Sequence, residues 1–269
     1  IPRKRFSKKY CRMADLHLIK AGGNLLEDSE IRKKFLTHFA LLEGPKILVH
    51  GGGKSATTLA AKMGLEVQMV DGRRITDRAM LEIACMTYAG LLNKSIVAEL
   101  QALDCNAIGL SGADGNAIRA VKRPVKEIDY GFVGDITKIN TALFDQFCQS
   151  GIVPVCCALT HDGQGQLLNT NADTLAAAIS KCLSTKYEVY LAYCFEKPGV
   201  LLNVEDSNSL VPTLDRTHFE ALKKSNQIVA GMIPKLTNCF DAIEGGVQEV
   251  RIGQMELLNQ TIPHTKIQL

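Results

Sequence analysis

Lys46-Ile47-Leu48-Val49-His50-Gly51-Gly52-Gly53-Lys54-Ser55 packs an apolar run, three glycines and the start of a helical pattern into ten residues. The apolar run reads as a buried strand and the glycines as its sharp end. The same order recurs. Leu16-His17-Leu18-Ile19 runs into Lys20-Ala21-Gly22-Gly23, and Ala107-Ile108-Gly109-Leu110 into Ser111-Gly112-Ala113-Asp114-Gly115. Residues 152–155 and 189–192 are further strand candidates. Helical spacing covers 29–42, 54–63, 77–103, 140–149, 172–183 and 236–244. In the longest of these, Thr76 is the expected N-cap, and Leu81, Cys85, Tyr88, Leu92 and Ile96 form the apolar stripe. Strand–helix alternation predicts an α/β fold, a three-layer αβα sandwich around a mainly parallel sheet in two lobes. The polar turn at 161–166 sets the expected division: a basic leader over 1–12, an N-terminal lobe over 13–165 and a C-terminal lobe over 166–269.

Ligands of such sheets bind beyond the carboxyl ends of the strands, where the glycine clusters fall. Glycine lets backbone N–H groups approach an anion closely, and a following helix adds the positive end of its dipole. Several such loops facing one cleft form a phosphate site; taken singly, each is also an ordinary tight turn. Gly53-Lys54-Ser55 is not a Walker A loop, because Leu48 occupies the place of its first glycine. Gly51, Gly53 and Ala56 do match G-x-G-x-x-A, with Asp71 about twenty residues further on, so a dinucleotide-binding oxidoreductase is the alternative on local pattern. His50 is read as structural and not as a base.

Composition removes other classes. The chain has 269 residues, 46% hydrophobic and 22% charged, as in folded globular proteins. Its net charge of +3 becomes −3 without the six bases of the leader, so no nucleic-acid partner is expected. No apolar run approaches the roughly 18–20 residues of a membrane span, and no apolar segment follows the leader as in a signal peptide. Nine cysteines without a C-x-x-C pair fit reduced thiols in the cytoplasm, with no metal site.

Four segments carry the chemistry: Leu18-Ile19-Lys20-Ala21-Gly22-Gly23, Val49-His50-Gly51-Gly52-Gly53, Asn169-Thr170-Asn171-Ala172-Asp173 and Gly231-Met232-Ile233-Pro234-Lys235. With Asp71-Gly72-Arg73-Arg74-Ile75-Thr76, Gly90-Leu91-Leu92-Asn93-Lys94, the 109–115 loop and Gly131-Phe132-Val133-Gly134-Asp135, they fall in the order of the amino-acid kinase superfamily. The chain resembles its N-acetylglutamate kinase branch. The resemblance implies ATP-dependent phosphorylation of an acylglutamate side-chain carboxylate. Lys20 and Lys235 would flank the transferring phosphoryl group, and Asp173 would hold both ammoniums. Gly52 and Gly53 would offer amides to substrate and phosphoryl oxygens, Arg74 would pair with the substrate α-carboxylate, and Asn169 would hydrogen-bond the substrate. Gly22 and Gly23 would lie at the nucleotide phosphates. Adenine and ribose would lie by Glu196, Lys197, Pro198, Gly199, Val200, Leu201, Gln227, Ile228 and Val229. ATP would bring Mg2+ held by phosphates and water. The N-terminal lobe would bind acylglutamate and form a homodimer, and the C-terminal lobe would bind ATP.

Three features depart from the family. The strand end usually reading T-D-V-P-G-V-L is Phe195-Glu196-Lys197-Pro198-Gly199-Val200-Leu201, Ala230 replaces a glycine, and the late I-G-T is missing. A non-catalytic ligand sensor on the same fold is therefore a third reading. The basic leader does not resemble the long N-terminal helix of arginine-inhibited members, so an arginine-insensitive dimer is expected. Lys54, where relatives carry an uncharged residue, is read as a solvated helix residue, or else as a partner for the extra carboxylate of an N-succinyl group.

Overall fold

A computed structural model describes residues 13–70, 73–228 and 231–269. The leader, Asp71, Gly72, Val229 and Ala230 lie outside the described residues. The chain begins β1 (Asp15–Ala21), α1 (Gly23–Glu27), α2 (Ser29–Ala40), β2 (Lys46–His50) and α3 (Gly53–Lys62). A small hairpin of β3 (Met69–Val70) and β4 (Arg73–Arg74) follows, then α4 (Arg78–Ala84), a π-helical segment (Cys85–Leu92) and α5 (Asn93–Gln101). Next come β5 (Ala107–Leu110), β6 (Ile118–Lys122), β7 (Gly134–Ile139), α6 (Thr141–Gln149), β8 (Val153–Cys157), β9 (Leu159–His161) and β10 (Leu167–Asn169). The remainder is α7 (Ala172–Leu183), β11 (Glu188–Cys194), β12 (Thr213–Leu214), α8 (Arg216–Lys224), α9 (Met232–Glu244), β13 (Glu249–Gly253) and β14 (Thr265–Ile267).

Eight strands form one sheet in the order β12-β14-β13-β11-β1-β2-β8-β5, parallel except between β13 and β14. The first strand is central: β2 flanks it on one side and β11 on the other. Chain direction across the sheet reverses there, which makes it the switch point where a crevice opens. The anticipated strands are all present because strands buried on both faces are continuous apolar runs. A second sheet, β10-β9-β6-β7, was not legible, since its strands are short and interrupted by polar residues.

Side-chain alternation sorts the core. Leu16 and Leu18 of β1 and Ile47 and Val49 of β2 face a cluster with Leu175 and Ile179 of α7 and Leu236 and Phe240 of α9. Ile19, Ala21 and Leu48 face the other way, onto Phe35, Phe39, Ile96 and Leu100 of α2 and α5. By the period of two, Lys20 therefore points toward α7 and α9, and His50 toward α5.

Two expectations need correction. The helix at 77–103 is not uniform: eight π-helical residues interrupt it. Its N-cap is Asp77, whose side chain accepts from the Met80 amide at 2.8 Å, while the Thr76 hydroxyl donates to the Arg74 carbonyl. The last anticipated helix begins at Met232 rather than 236, because Pro234 is tolerated in a first turn where no intrahelical N–H bond is needed.

Candidate active site

Lys20, Asp173 and Lys235 converge although they stand on β1, α7 and α9. Lys20 Nζ forms an ion pair with Asp173 Oδ1 at 2.8 Å, and Lys235 Nζ donates a hydrogen bond to Oδ2 at 2.8 Å. The N-cap of α7 is Asn171, which accepts from the amides of Asp173 and Thr174 at 2.8 and 3.0 Å. That frees the Asp173 carboxylate from capping. Lys235 sits in the first turn of α9, the wrong end for a cation in the helix dipole, so its placement serves the cluster and not the helix. The Tyr193 ring lies 5.3 Å from Lys235 Nζ, and the Tyr193 hydroxyl donates to the Asp173 carbonyl. Burial opposes ionisation of Asp173, but the two ammoniums outweigh it and hold its carboxyl well below the usual range. Burial pushes the Lys20 ammonium down, with Asp173 resisting. One carboxylate against two cations leaves a local charge of +1, and each ammonium keeps donors for an anion.

Lys20 and Asp173 line a cavity of about 190 Å³ together with Gly51, Gly52, Gly53, Arg74 and Asn169, while Lys235 is joined to it through Asp173 and does not line it. Arg74 is 8% exposed, so its charge acts largely without water. Its Nη2 donates to the Gly53 carbonyl and the Thr57 hydroxyl at 2.8 and 2.9 Å. Its buried Nη1 has no hydrogen-bond partner among the described residues. Asn169 Nδ2 donates to Thr76 Oγ1 at 3.0 Å. A Cβ at Gly52 would stand 2.5 Å from the ring of Tyr88, so glycine is required there by close approach. Gly53 opens α3, whose first amides lack helical partners; Glu27 accepts the one from Ser55 at 2.7 Å.

The described residues among those expected at the nucleotide lie outside this cavity. Gly22 follows β1, with its amide donating to the Cys194 carbonyl at 2.8 Å, and a Cβ there would stand 3.1 Å from that oxygen. Gly23 opens α1 and is exposed. Beside Gly22 the chain leaves β11 through Phe195 to exposed Glu196 and Lys197 and partly buried Pro198. Gly199 packs against Thr265, and Val200 and Leu201 are buried. Gln227 is exposed and Ile228 is buried in the core; Val229 lies outside the described residues. Lys54 is exposed and does not line the cavity, in keeping with a solvated helix residue.

Other cavity residues were not anticipated. Tyr88 reads in sequence as part of an apolar helical stripe, Arg73 lies in a quoted motif with no role assigned to it, and Arg123 carries no motif signal. Arg123 is paired with Asp135 at 2.5 Å. His50 is fully buried, and burial pushes its imidazole down to about 4, helped by Lys20. An unfolded histidine titrates near 6.5, so the stability from burying it neutral is complete above that pH and lost as pH falls toward about 4. Calorimetry across this window should show the melting temperature falling, with a shallower slope in His50→Asn; equal slopes would refute the assignment.

The amino acid kinase family model matches residues 15–254, and the chain belongs to that family. Within it, the chain is 52% identical over 248 residues to the acetylglutamate kinase of Parabacteroides distasonis, spanning 92% of this chain and 97% of that protein. It is 53% identical over 237 residues to the acetylglutamate kinase of Bacteroides thetaiotaomicron, spanning 88% and 92%. In fold it resembles the crystal structure of N-acetylglutamate synthase from Neisseria gonorrhoeae, with a TM-score of 0.80 at 22% identity, over 96% of this chain and 60% of that one. The oxidoreductase reading of Gly51, Gly53 and Ala56 and the sensor reading find no support in these relatives. Among the described residues no helix is long and apolar enough to cross a membrane.

Proposed function

We propose that this chain transfers the γ-phosphoryl group of ATP to the side-chain carboxylate of N-acetyl-L-glutamate, the acylglutamate phosphorylation of arginine biosynthesis. The observation that carries the reading is the Lys20–Asp173–Lys235 cluster at a cavity holding Arg74 and a glycine loop. A carboxylate is already a nucleophile at neutral pH, so no general base is needed. The obstacle is repulsion: two unit charges ~4 Å apart oppose each other by about 4 kcal/mol at an effective dielectric near 20. Lys20 and Lys235 offset it from two elements, and their spacing is set by one carboxylate. Arg74 binds the α-carboxylate through Nη1, Asn169 orients the acyl amide, and the Gly52 and Gly53 amides receive charge on the moving oxygens.

ATP is proposed to enter over the half formed by 166–269, with its phosphates near Gly22 and Gly23. The base would lie along the loop from Glu196 and the segment near Gln227, while 13–165 binds the acylglutamate and pairs two copies in a cytoplasmic homodimer. Among the described residues no group of three or more His, Cys, Asp or Glu could hold a metal, and both oxygens of Asp173 are taken by lysines. Mg2+ would come with ATP, carried on phosphate oxygens and water, where it would neutralise β/γ charge. Exposed Lys54 gives no reason to prefer N-succinylglutamate.

Trapping the product with hydroxylamine tests the reading. Hydroxamate should form only with ATP and N-acetylglutamate together; its absence with pure enzyme would refute the activity.

A further inference from the structure

The phosphoryl-transfer chemistry leaves one buried titratable side chain beside the glycine loop unused. His50 Nδ1 lies 2.7 Å from the Gly51 carbonyl oxygen, and Nε2 lies 3.0 Å from Asn93 Nδ2. Asn93 Nδ2 also donates to the Val155 carbonyl at 2.9 Å, which fixes the orientation of that amide. An amide nitrogen only donates, so His50 Nε2 accepts and the ring proton sits on Nδ1, donating to Gly51. The Gly51 carbonyl and the Gly52 N–H belong to one trans peptide plane and point in opposite directions. Pinning the oxygen on the α5 side therefore turns the Gly52 amide away from α5. Gly52 lines the cavity, and three successive glycines would not hold that orientation unaided.

The Tyr88 ring closes the loop from another side, as the 2.5 Å approach to a Cβ at Gly52 records. Tyr88 lies inside the π-helical segment and Asn93 follows directly after it. Residues five apart diverge on an α-helix but draw onto one face where the hydrogen bonds run i to i+5. The interruption thus lets one helix hold the glycine loop at two points.

We infer that His50 is a positioning residue: locked in one tautomer by Asn93, it aims the Gly52 amide at the transferring group. This rests on the acylglutamate kinase reading, and its test begins with a readout that needs no turnover. With 15N-labelled histidine, wild-type His50 should carry its proton on Nδ1 and none on Nε2 at neutral pH. His50→Asn places an amide nitrogen near the former Nδ1 and should retain most of kcat. His50→Gln reaches the Nε2 position instead and should lose about 10²-fold in kcat, as when one preorganised donor is lost. The KM for ATP should move by less than about twofold in both. Asn93→Asp, an acceptor, should turn the ring to its Nε2–H tautomer with a similar loss of kcat. Equal losses in the two His50 variants, a wild-type proton on Nε2, or a turned ring with kcat intact would each overturn the inference. If wild type makes no acyl phosphate, the activity reading alone fails. The His50 tautomer and the Gly52 amide shift in the two His50 variants then decide the positioning role: a shift moved by Gln but not by Asn supports it, and equal shifts overturn it.

Discussion

Lys20→Ala is expected to lower kcat by about 10³-fold, equivalent to ~4 kcal/mol, while the KM for acylglutamate stays within about threefold. The asymmetry follows from geometry. Arg74, Asn169 and Lys20 all line the cavity; in the proposed reaction Arg74 and Asn169 would anchor the substrate, whereas Lys20 would face the charge that builds during transfer. Stability should change little, because burying the Lys20 ammonium costs solvation that its bond to Asp173 offsets. Asp173 also keeps Lys235 as a partner in the variant. Lys20→Arg should not rescue, since a planar fork does not replace a compact ammonium in a site 9% exposed. Steady-state kinetics with a melting curve on the same samples tests this; a kcat within tenfold of wild type would remove Lys20 from the reaction.

Arg74→Lys is expected to act on binding. Arg74 spends Nη2 on the Gly53 carbonyl and Thr57, and in the proposed complex Nη1 would serve the ligand. A lysine has one nitrogen and cannot do both. The KM for N-acetylglutamate should rise by about 10²-fold, roughly the worth of a charge-assisted hydrogen bond lost in a buried site, with the KM for ATP unchanged. Thr57→Val should give a smaller rise of the same kind. Equal rises for both substrates would mean that Arg74 shapes the whole cleft.

The two kinds of element were not equally readable in sequence. Strands β1, β2, β5, β8 and β11 appear as apolar runs because the sheet is covered on both faces. Strands β9 and β10, of three residues each, carry too little pattern. The π-helical segment is hidden for a different reason: Leu81, Cys85, Tyr88, Leu92 and Ile96 keep helical spacing through a stretch whose hydrogen bonds shift by one residue. At the site, glycine loops and the order of motifs brought Lys20, Asp173 and Lys235 forward. No spacing rule does so, since the three are joined only by the fold. Asn171 lies inside a quoted motif beside two other capping residue types, Asn169 and Asp173, and its spacing alone does not single it out as the cap of α7. Only the observed bonds assign it.

The central place of β1 bears on how the protein is made. This early strand finds β2 at once, but its other neighbour, β11, begins at Glu188. During synthesis the nascent chain therefore carries an apolar strand with one open edge while well over a hundred further residues are added. Until then the Gly22 amide has no Cys194 carbonyl to meet, and Lys235, on the later α9, is not yet made. A translation product halted before β11 would be a sticky fragment instead of a weak enzyme.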